Sequence, residues 1–439
     1  MKRILAMLLV ALTALFIAGC GMRTVDEMYC LPKRSEEDSQ LQQAIDQAMT
    51  DLDYSAPVSG EHQQSVQMAD LDGDKKQEYL VFTKGTSERP LRVLVFKEKN
   101  DEFMLLDTIV NTGSAFDRVE YVQMDGKGGA EIVIGRQISN QLVRSVAVYT
   151  YTDQGFQQIL NTNYQKFLTV DMDSDGISDL FIFRPGTAEN DNGIAELYYM
   201  NGDGMERGNE MSMSGPVDKL KRIMVGKLND HRVAVYAASS VDDNALITDV
   251  YALIDGKLKN ISFSNESGTS VSTMRNYYVY AEDIDADGVV ELPDLNTLVP
   301  LPGADLTQRY EMVRWYAMAS DGTEVDKLYT YHNFIGGWYL ELDPSLATHL
   351  TVNRKSGFEE FHIWDSSYQK TEKIFTIYTL TGKNRDEQVR EGGYAVLLQT
   401  ETVIYAVKVE DAALNVDMTE EKLIRNFHMI HQVWNTGEI

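Results

Sequence analysis

Three stretches of this chain carry the same alternation of carboxylates at nearly regular distances. DLDGDKKQEYLVF begins at Asp70, DMDSDGISDLFIF at Asp171 and DIDADGVVEL at Asp283. A worn copy runs from Gln123 through Asp125, Gly126 and Lys127 to Glu131 and Ile132–Ile134, and a fainter echo from Met224 to Tyr236 keeps Gly226, Asn229 and Val233–Tyr236. The starts at 70, 123, 171, 224 and 283 are 53, 48, 53 and 59 residues apart. A period near 50 with several strands in each unit is the spacing of propeller blades.

The residues between the acid stretches agree. Tyr79–Thr83, Leu91–Phe96, Ile132–Ile134, Val146–Tyr151, Leu180–Phe183, Ala195–Tyr199, Val233–Tyr236 and Thr248–Ile254 are short β-type runs parted by Gly, Asn and Asp. Runs of this kind read as antiparallel hairpins, and the lack of helical segments between them argues against a parallel α/β sheet. The expected fold is all-β, a β-propeller of about seven four-stranded antiparallel blades over 56–439. Residues 56–300 hold the motif-bearing units. Residues 301–439, with Tyr310–Ala319, Lys327–Leu342, Leu350–Trp364, Lys373–Leu380 and Tyr394–Val409, supply the final two blades or a separate C-terminal β domain. Two helices flank the sheets, within 35–55 and at the C-terminus. Ser35 with Asp38 resembles a helix start, and Leu41, Ile45, Met49 and Leu52 recur at helical spacing over 36–52. At the far end Asp417 with Glu420 resembles a capping box, followed by Leu423, Phe427, Ile430 and Trp434.

Each intact acid stretch has carboxylates at its first, third, fifth and ninth positions: Asp70, Asp72, Asp74 and Glu78; Asp171, Asp173, Asp175 and Asp179; Asp283, Asp285, Asp287 and Glu291. A tight loop turns alternate side chains onto one point, and a glycine at the fourth or sixth position permits the bend that returns the ninth. Calcium takes roughly six to eight oxygens at about 2.3–2.6 Å, which such a set can supply. Residue 12 of an EF-hand loop is a bidentate Glu; here it is Val81 in the first copy, Ile182 in the second and Asp294 only in the third. A ninth-position acid followed at once by a strand resembles the FG-GAP or VCBS-type repeats of integrin-like β-propellers. That resemblance implies calcium loops joining neighbouring strands within a blade, about three structural ions in all, and none in the units at 123 and 224. Asp- and Gly-rich turns without an ion are the plainer alternative.

The chain opens with Met1-Lys2-Arg3, an apolar run from Ile4 to Ala18 broken only by Thr13, and Gly19-Cys20. This is the layout of an export signal over 1–19, too short for a spanning helix. FIAGC at 16–20 resembles the lipobox of bacterial lipoproteins, which implies a lipidated Cys20 and a tether over 20–34. Cys30 is then the sole remaining thiol, so no disulfide forms within the mature chain. The formal charge of −27 becomes −29 without Lys2 and Arg3, which disfavours nucleic acid and favours cations.

No G-x-S-x-G elbow, phosphate loop, H-E-x-x-H or Cys/His zinc spacing occurs. His428 and His431 lie three apart, but scattered histidines at that spacing are more often packed or solvated than ligands. Tyr329–Tyr339 concentrates five aromatic residues, more simply the core of a hairpin than a ligand platform. The expected role is therefore a non-enzymatic binding or scaffold module for a protein or glycan. It would be exported and lipid-anchored, facing the extracellular side or the periplasm. An extracellular hydrolase or lyase on a propeller scaffold is the alternative.

Overall fold

The computed structural model describes residues 36–100, 102–138, 143–277, 279–303, 310–410 and 418–430. The expected signal and tether, with Cys20, Cys30 and Ser35, lie outside them. The first element, α1 (Glu36–Ala48), stops short of residue 52 because the chain turns at Thr50 and Asp51, the latter with φ at 59°.

From Asp53 onward the described residues are built around antiparallel sheets. The first sheet comprises β1 (Asp53–Tyr54), β2 (Val66–Ala69), β3 (Glu78–Lys84), β4 (Leu91–Lys99) and β5 (Glu102–Asn111). The second runs in order through β6 (Ala115–Val122), β7 (Glu131–Gln137), β8 (Arg144–Thr152) and β9 (Gly155–Tyr164). The third comprises β10 (Lys166–Val170), β11 (Asp179–Arg184), β12 (Ile194–Asn201) and β13 (Gly204–Ser212). The fourth has β14 (Leu220–Lys227), β15 (Val233–Ser240), β16 (Leu246–Ile254) and β17 (Lys257–Asn260). In the fifth, β18 (Glu291–Thr297), β19 (Glu311–Met318), β20 (Glu324–Asn333) and β21 (Trp338–Leu342) pair in sequence. After the short α2 (Pro344–Ala347), the sixth has β22 (Leu350–Lys355), β23 (Phe358–Trp364) and β24 (Thr371–Thr381). Then α3 (Arg385–Gly392) intervenes, and β26 (Val403–Val409) pairs with β24, leaving β25 (Ala395–Gln399) at the edge. Finally α4 (Glu420–Asn426) leads into β27 (Phe427–Met429), which pairs with β21 of the fifth sheet.

The all-β propeller-type fold is thus as expected, but six sheets form among the described residues, not about seven, and three of them have five strands. Tyr310–Ala319 and Lys327–Leu342 do not begin a further blade. They are β19, β20 and β21 of the fifth, which the stretch 298–310 between β18 and β19 lengthens beyond the earlier period. The C-terminal helix also differs. Its cap is Thr419, whose hydroxyl accepts the Lys422 amide at 3.3 Å, and Phe427 leaves the helix to pair with Leu340. Asp417, His431 and Trp434 lie outside the described residues.

Alternation along the second strand of each sheet explains the stacking. In β3, Leu80 and Phe82 pack with Ile132 and Ile134 of β7, while Val81 faces α1 and its Ile45. Val133 of β7 turns the other way, to Leu180 and Ile182 of β11. Phe181 and Phe183 then meet Val235 and Ala237 of β15, and Ala234 and Tyr236 meet Leu292 and Tyr316 of the fifth sheet. Tyr331, Trp338 and Leu340 join Phe361, Phe375 and Val407 of the sixth. A strand buried on both faces needs a near-continuous apolar run, which is why YLVF, IVI, LFIF and VAVY recur. The aromatics of Tyr329–Tyr339 follow the same logic, with Tyr331 and Trp338 almost wholly buried.

Candidate metal centres

The acid stretch at 70 links β2 to β3, that at 171 links β10 to β11, and that at 283 leads into β18, where Glu282 bridges to Glu291. In each, the ninth-position acid is the first residue of the following strand and folds back on the second-position amide. Leu71 N donates to Glu78 Oε2 at 2.8 Å, Met172 N to Asp179 Oδ2 at 3.4 Å and Ile284 N to Glu291 Oε2 at 3.1 Å. The first-position carboxylate gathers amides from the other side of the turn. Asp171 accepts Asp175 N at 3.1 Å and Gly176 N at 2.9 Å, and Asp283 accepts Asp287 N at 3.0 Å and Gly288 N at 2.9 Å. Such closure needs positive φ near the tip, met by Gly73 and Lys75, Ser174 and Gly176, and Ala286 and Gly288.

Three acids converge in each loop, with carboxylate oxygens within 4.8 Å of one another: Asp70, Asp72 and Glu78; Asp171, Asp173 and Asp175; Asp283, Asp285 and Glu291. The fourth acid stands outside each group. Asp74 turns to the Lys97 ammonium at 2.8 Å, Asp287 turns to Lys327 at 3.0 Å, and Asp179 is held by the Met172 amide. Oxygen clusters of this kind can hold a hard cation.

The worn stretch at 123 serves as an internal comparison. Its backbone closes the same way, with Met124 N on Glu131 Oε2 at 2.6 Å and Gly126 N on Gln123 Oε1 at 2.9 Å. Here the remaining Glu131 oxygen accepts the Thr150 hydroxyl at 3.0 Å, and the Lys127 ammonium lies 3.2 Å from Asp125. Every negative group has a partner from the chain. In the loop at 283, Glu291 Oε1 is fully buried with no hydrogen-bond partner among the described residues. An orphaned carboxylate oxygen between two other carboxylates is costly unless a cation meets it. The divalent-ion chemistry of the donor set fits this loop. The echo at 224 is only a turn, Leu228 N to Arg232 O at 2.8 Å.

Electrostatics separate the three loops. Burial, with neighbouring acids adding to it, pushes Glu291 up to about 8 and Asp179 up to about 7. Burial also raises Glu78, but there the chain brings its own cation: Lys97 Nζ reaches Asp72, Asp74 and, at 3.3 Å, Glu78 Oε1. Burial works against the Lys97 ammonium, yet its three carboxylate bonds outweigh that and hold it protonated. The loop at 171 has no Lys or Arg ion pair among the described residues. It borders a cleft of about 380 Å³ whose walls include Leu197, Tyr199 and Leu258. Lys97 and Lys327 come from other strands of the same sheets, and their sequence surroundings carry no sign of these contacts. Of the histidines, His428 lies on β27 with Nε2 3.0 Å from Glu341.

No family model matches the chain, and no curated protein matches it in sequence. Among solved structures it is similar to the exotype rhamnogalacturonan lyase YesX, at 11% identity over 66% of this chain and 74% of that one, with a TM-score of 0.31. The rhamnogalacturonan lyase YesW gives 10% identity over 73% and 83%, with a TM-score of 0.31. A protein from Lactobacillus plantarum gives 9% over 74% and 94%, with a TM-score of 0.27. Likeness at this level says nothing of function.

Proposed function

We propose that this chain is a calcium-braced propeller acting at the cell surface as a binding or scaffold module for a protein or glycan. In this reading it is exported, lipid-anchored through Cys20, and does not bind nucleic acid. The buried, unpartnered Glu291 Oε1 beside Asp283 and Asp285 carries the metal part of the reading. The comparison loop supports it, because where acids are lost a hydroxyl and a lysine fill their place. Calcium fits better than zinc, since every converging donor is a carboxylate oxygen. An ion there ties the first-position and ninth-position acids together, so it braces the start of a blade in a chain whose lipidated Cys20 would leave Cys30 as the sole thiol. Extracellular sites of this kind work even with dissociation constants near ~10⁻⁴–10⁻³ M.

Elemental analysis of the purified chain and melting with and without EDTA test this directly. Bound calcium and a melting temperature lowered by chelation are expected; no metal and no shift would remove the metal part. Asp173→Ala should release one ion only. Capture from the native envelope on the immobilised chain tests the binding role. Turnover of a polysaccharide or peptide, lost on a single acid substitution, would replace that role with an enzymatic one.

A further inference from the structure

The first strands of consecutive sheets, β6, β10 and β14, line one hollow of about 790 Å³ together with residues 58–61 and Gln63. Its charged walls are Arg118, Lys166, Lys221 and Arg222 against Glu61 and Glu120. In a chain with 67 acidic and 40 basic side chains, an average hollow would be lined by acids. This one is basic.

Two of the six are already committed to each other. The Arg118 guanidinium lies 2.6 Å from Glu120 Oε1 and over the Phe167 ring at 5.5 Å, and Glu120 also accepts the Thr169 hydroxyl at 2.6 Å. Gly60, with φ at 81°, makes room for this pair, since a Cβ there would meet Arg118 Cγ at 2.8 Å. Residues 58 and 59 are pinned beside β6 by Val58 N to Phe116 O at 3.2 Å and Ser59 N to Asp117 O at 2.8 Å.

Arg222 pairs outside the hollow, with Glu282 at 3.0 Å and over the Tyr280 ring at 5.6 Å, and still leaves donors unmet. It is 93% buried by its 7% exposure, and Nη2 donates to Glu282 at 3.0 Å, but Nε and Nη1 are buried with no hydrogen-bond partner among the described residues. Lys221 and Arg222, next to a register shift between Leu220 and Arg222, both line the hollow. Lys166 and Lys221 are exposed and form no ion pair among the described residues. Water can satisfy a buried guanidinium, but water gives no reason to gather positive charge.

We propose that this hollow binds a small organic anion, whose carboxylate or phosphate group reaches the unpartnered Nε–Nη1 edge of Arg222 and is flanked by Lys166 and Lys221. A planar fork of donors with two lysines nearby is suited to such a group. The site is separate from the metal loops: Lys166 opens β10, whereas the loop at 171 follows the last residue of that strand.

Titration calorimetry on the full chain in calcium-free buffer, with succinate and with inorganic phosphate as probes, tests the proposal. At least one should bind with a dissociation constant below about 1 mM, weakening as salt rises. Arg222→Met and the double variant Lys166→Met/Lys221→Met should each weaken it by roughly tenfold or more. The preferred probe tells carboxylate from phosphate. Because Arg222→Met leaves Glu282 without its partner and can unfold the sheet, the double variant at exposed positions decides if it does. Absence of binding by both probes up to about 10 mM, or affinity unchanged in the double variant, overturns the proposal. Calcium uptake by the double variant should equal that of the parent chain, so failure here and failure of the metal reading are told apart.

Discussion

Lys97 determines what the first acid loop can do. Its ammonium reaches Asp72, Asp74 and Glu78, the same oxygens a divalent ion needs. Replacing it with methionine keeps the packing stem and removes the competitor. Lys97→Met should therefore take up one more calcium ion than the parent chain, counted by elemental analysis. In chelator the same variant should lose roughly 1–3 kcal/mol, measured by urea melts, because buried Glu78 is left beside uncompensated acids. His332 offers a second residue-scale expectation. It is buried beside Thr330, with its Nε2 2.8 Å from that hydroxyl, and burial pulls it down to about 3. An unfolded histidine titrates near 6.5, so the unfolded state binds the extra proton and stability falls as pH drops below about 6.5. Between pH 7 and 5 the stability advantage of the parent over His332→Asn should shrink by about 2 kcal/mol. Neither residue stands out in the sequence. Asp70, Asp171 and Asp283 do, because their partners are local; Lys97 meets its acids across a sheet, and only the fold brings it there.

Among the elements, the strands were the most readable. The apolar runs of β3, β7, β11 and β15 show in the sequence because both faces are buried, and the acid loops mark where each of the first three begins. The chain ends were less so. Leu423 and Phe427 are spaced four apart as on a helix, yet open β21 pairing captures Phe427 as a strand residue. Tertiary pairing overrides local period there. At the other end α1 behaves as its stripe foretold, with Ile45 buried against Val81, Leu94 and Phe96. Ile45→Ala should cost about 2–3 kcal/mol in urea unfolding. A loss under about 0.5 kcal/mol would mean that the helix does not cover the first sheet in solution.

At the scale of the molecule, each sheet shares an apolar cluster with the next, from the first to the sixth. The period of the acid stretches gave the unit length correctly up to 283 and miscounted afterwards, because the fifth sheet is lengthened between β18 and β19 and carries no second acid mark. The fifth and sixth sheets are bound to each other more broadly than their order requires, since Leu423 and Phe427 join the cluster that holds both. Ending the chain at Met418 should thus lower hydrogen-exchange protection in β19 to β24 while sparing β6 to β13. Synthesis gives this arrangement a direction in time. Early sheets have all their strands soon after they emerge, but the fifth waits for Phe427–Met429, some 85 residues after β21 is made. Until then the outer side of β21 is a raw hydrogen-bonding edge, open to any passing strand. A prematurely stopped product keeps that edge for good, so an unfinished copy is recognisable by its surface alone.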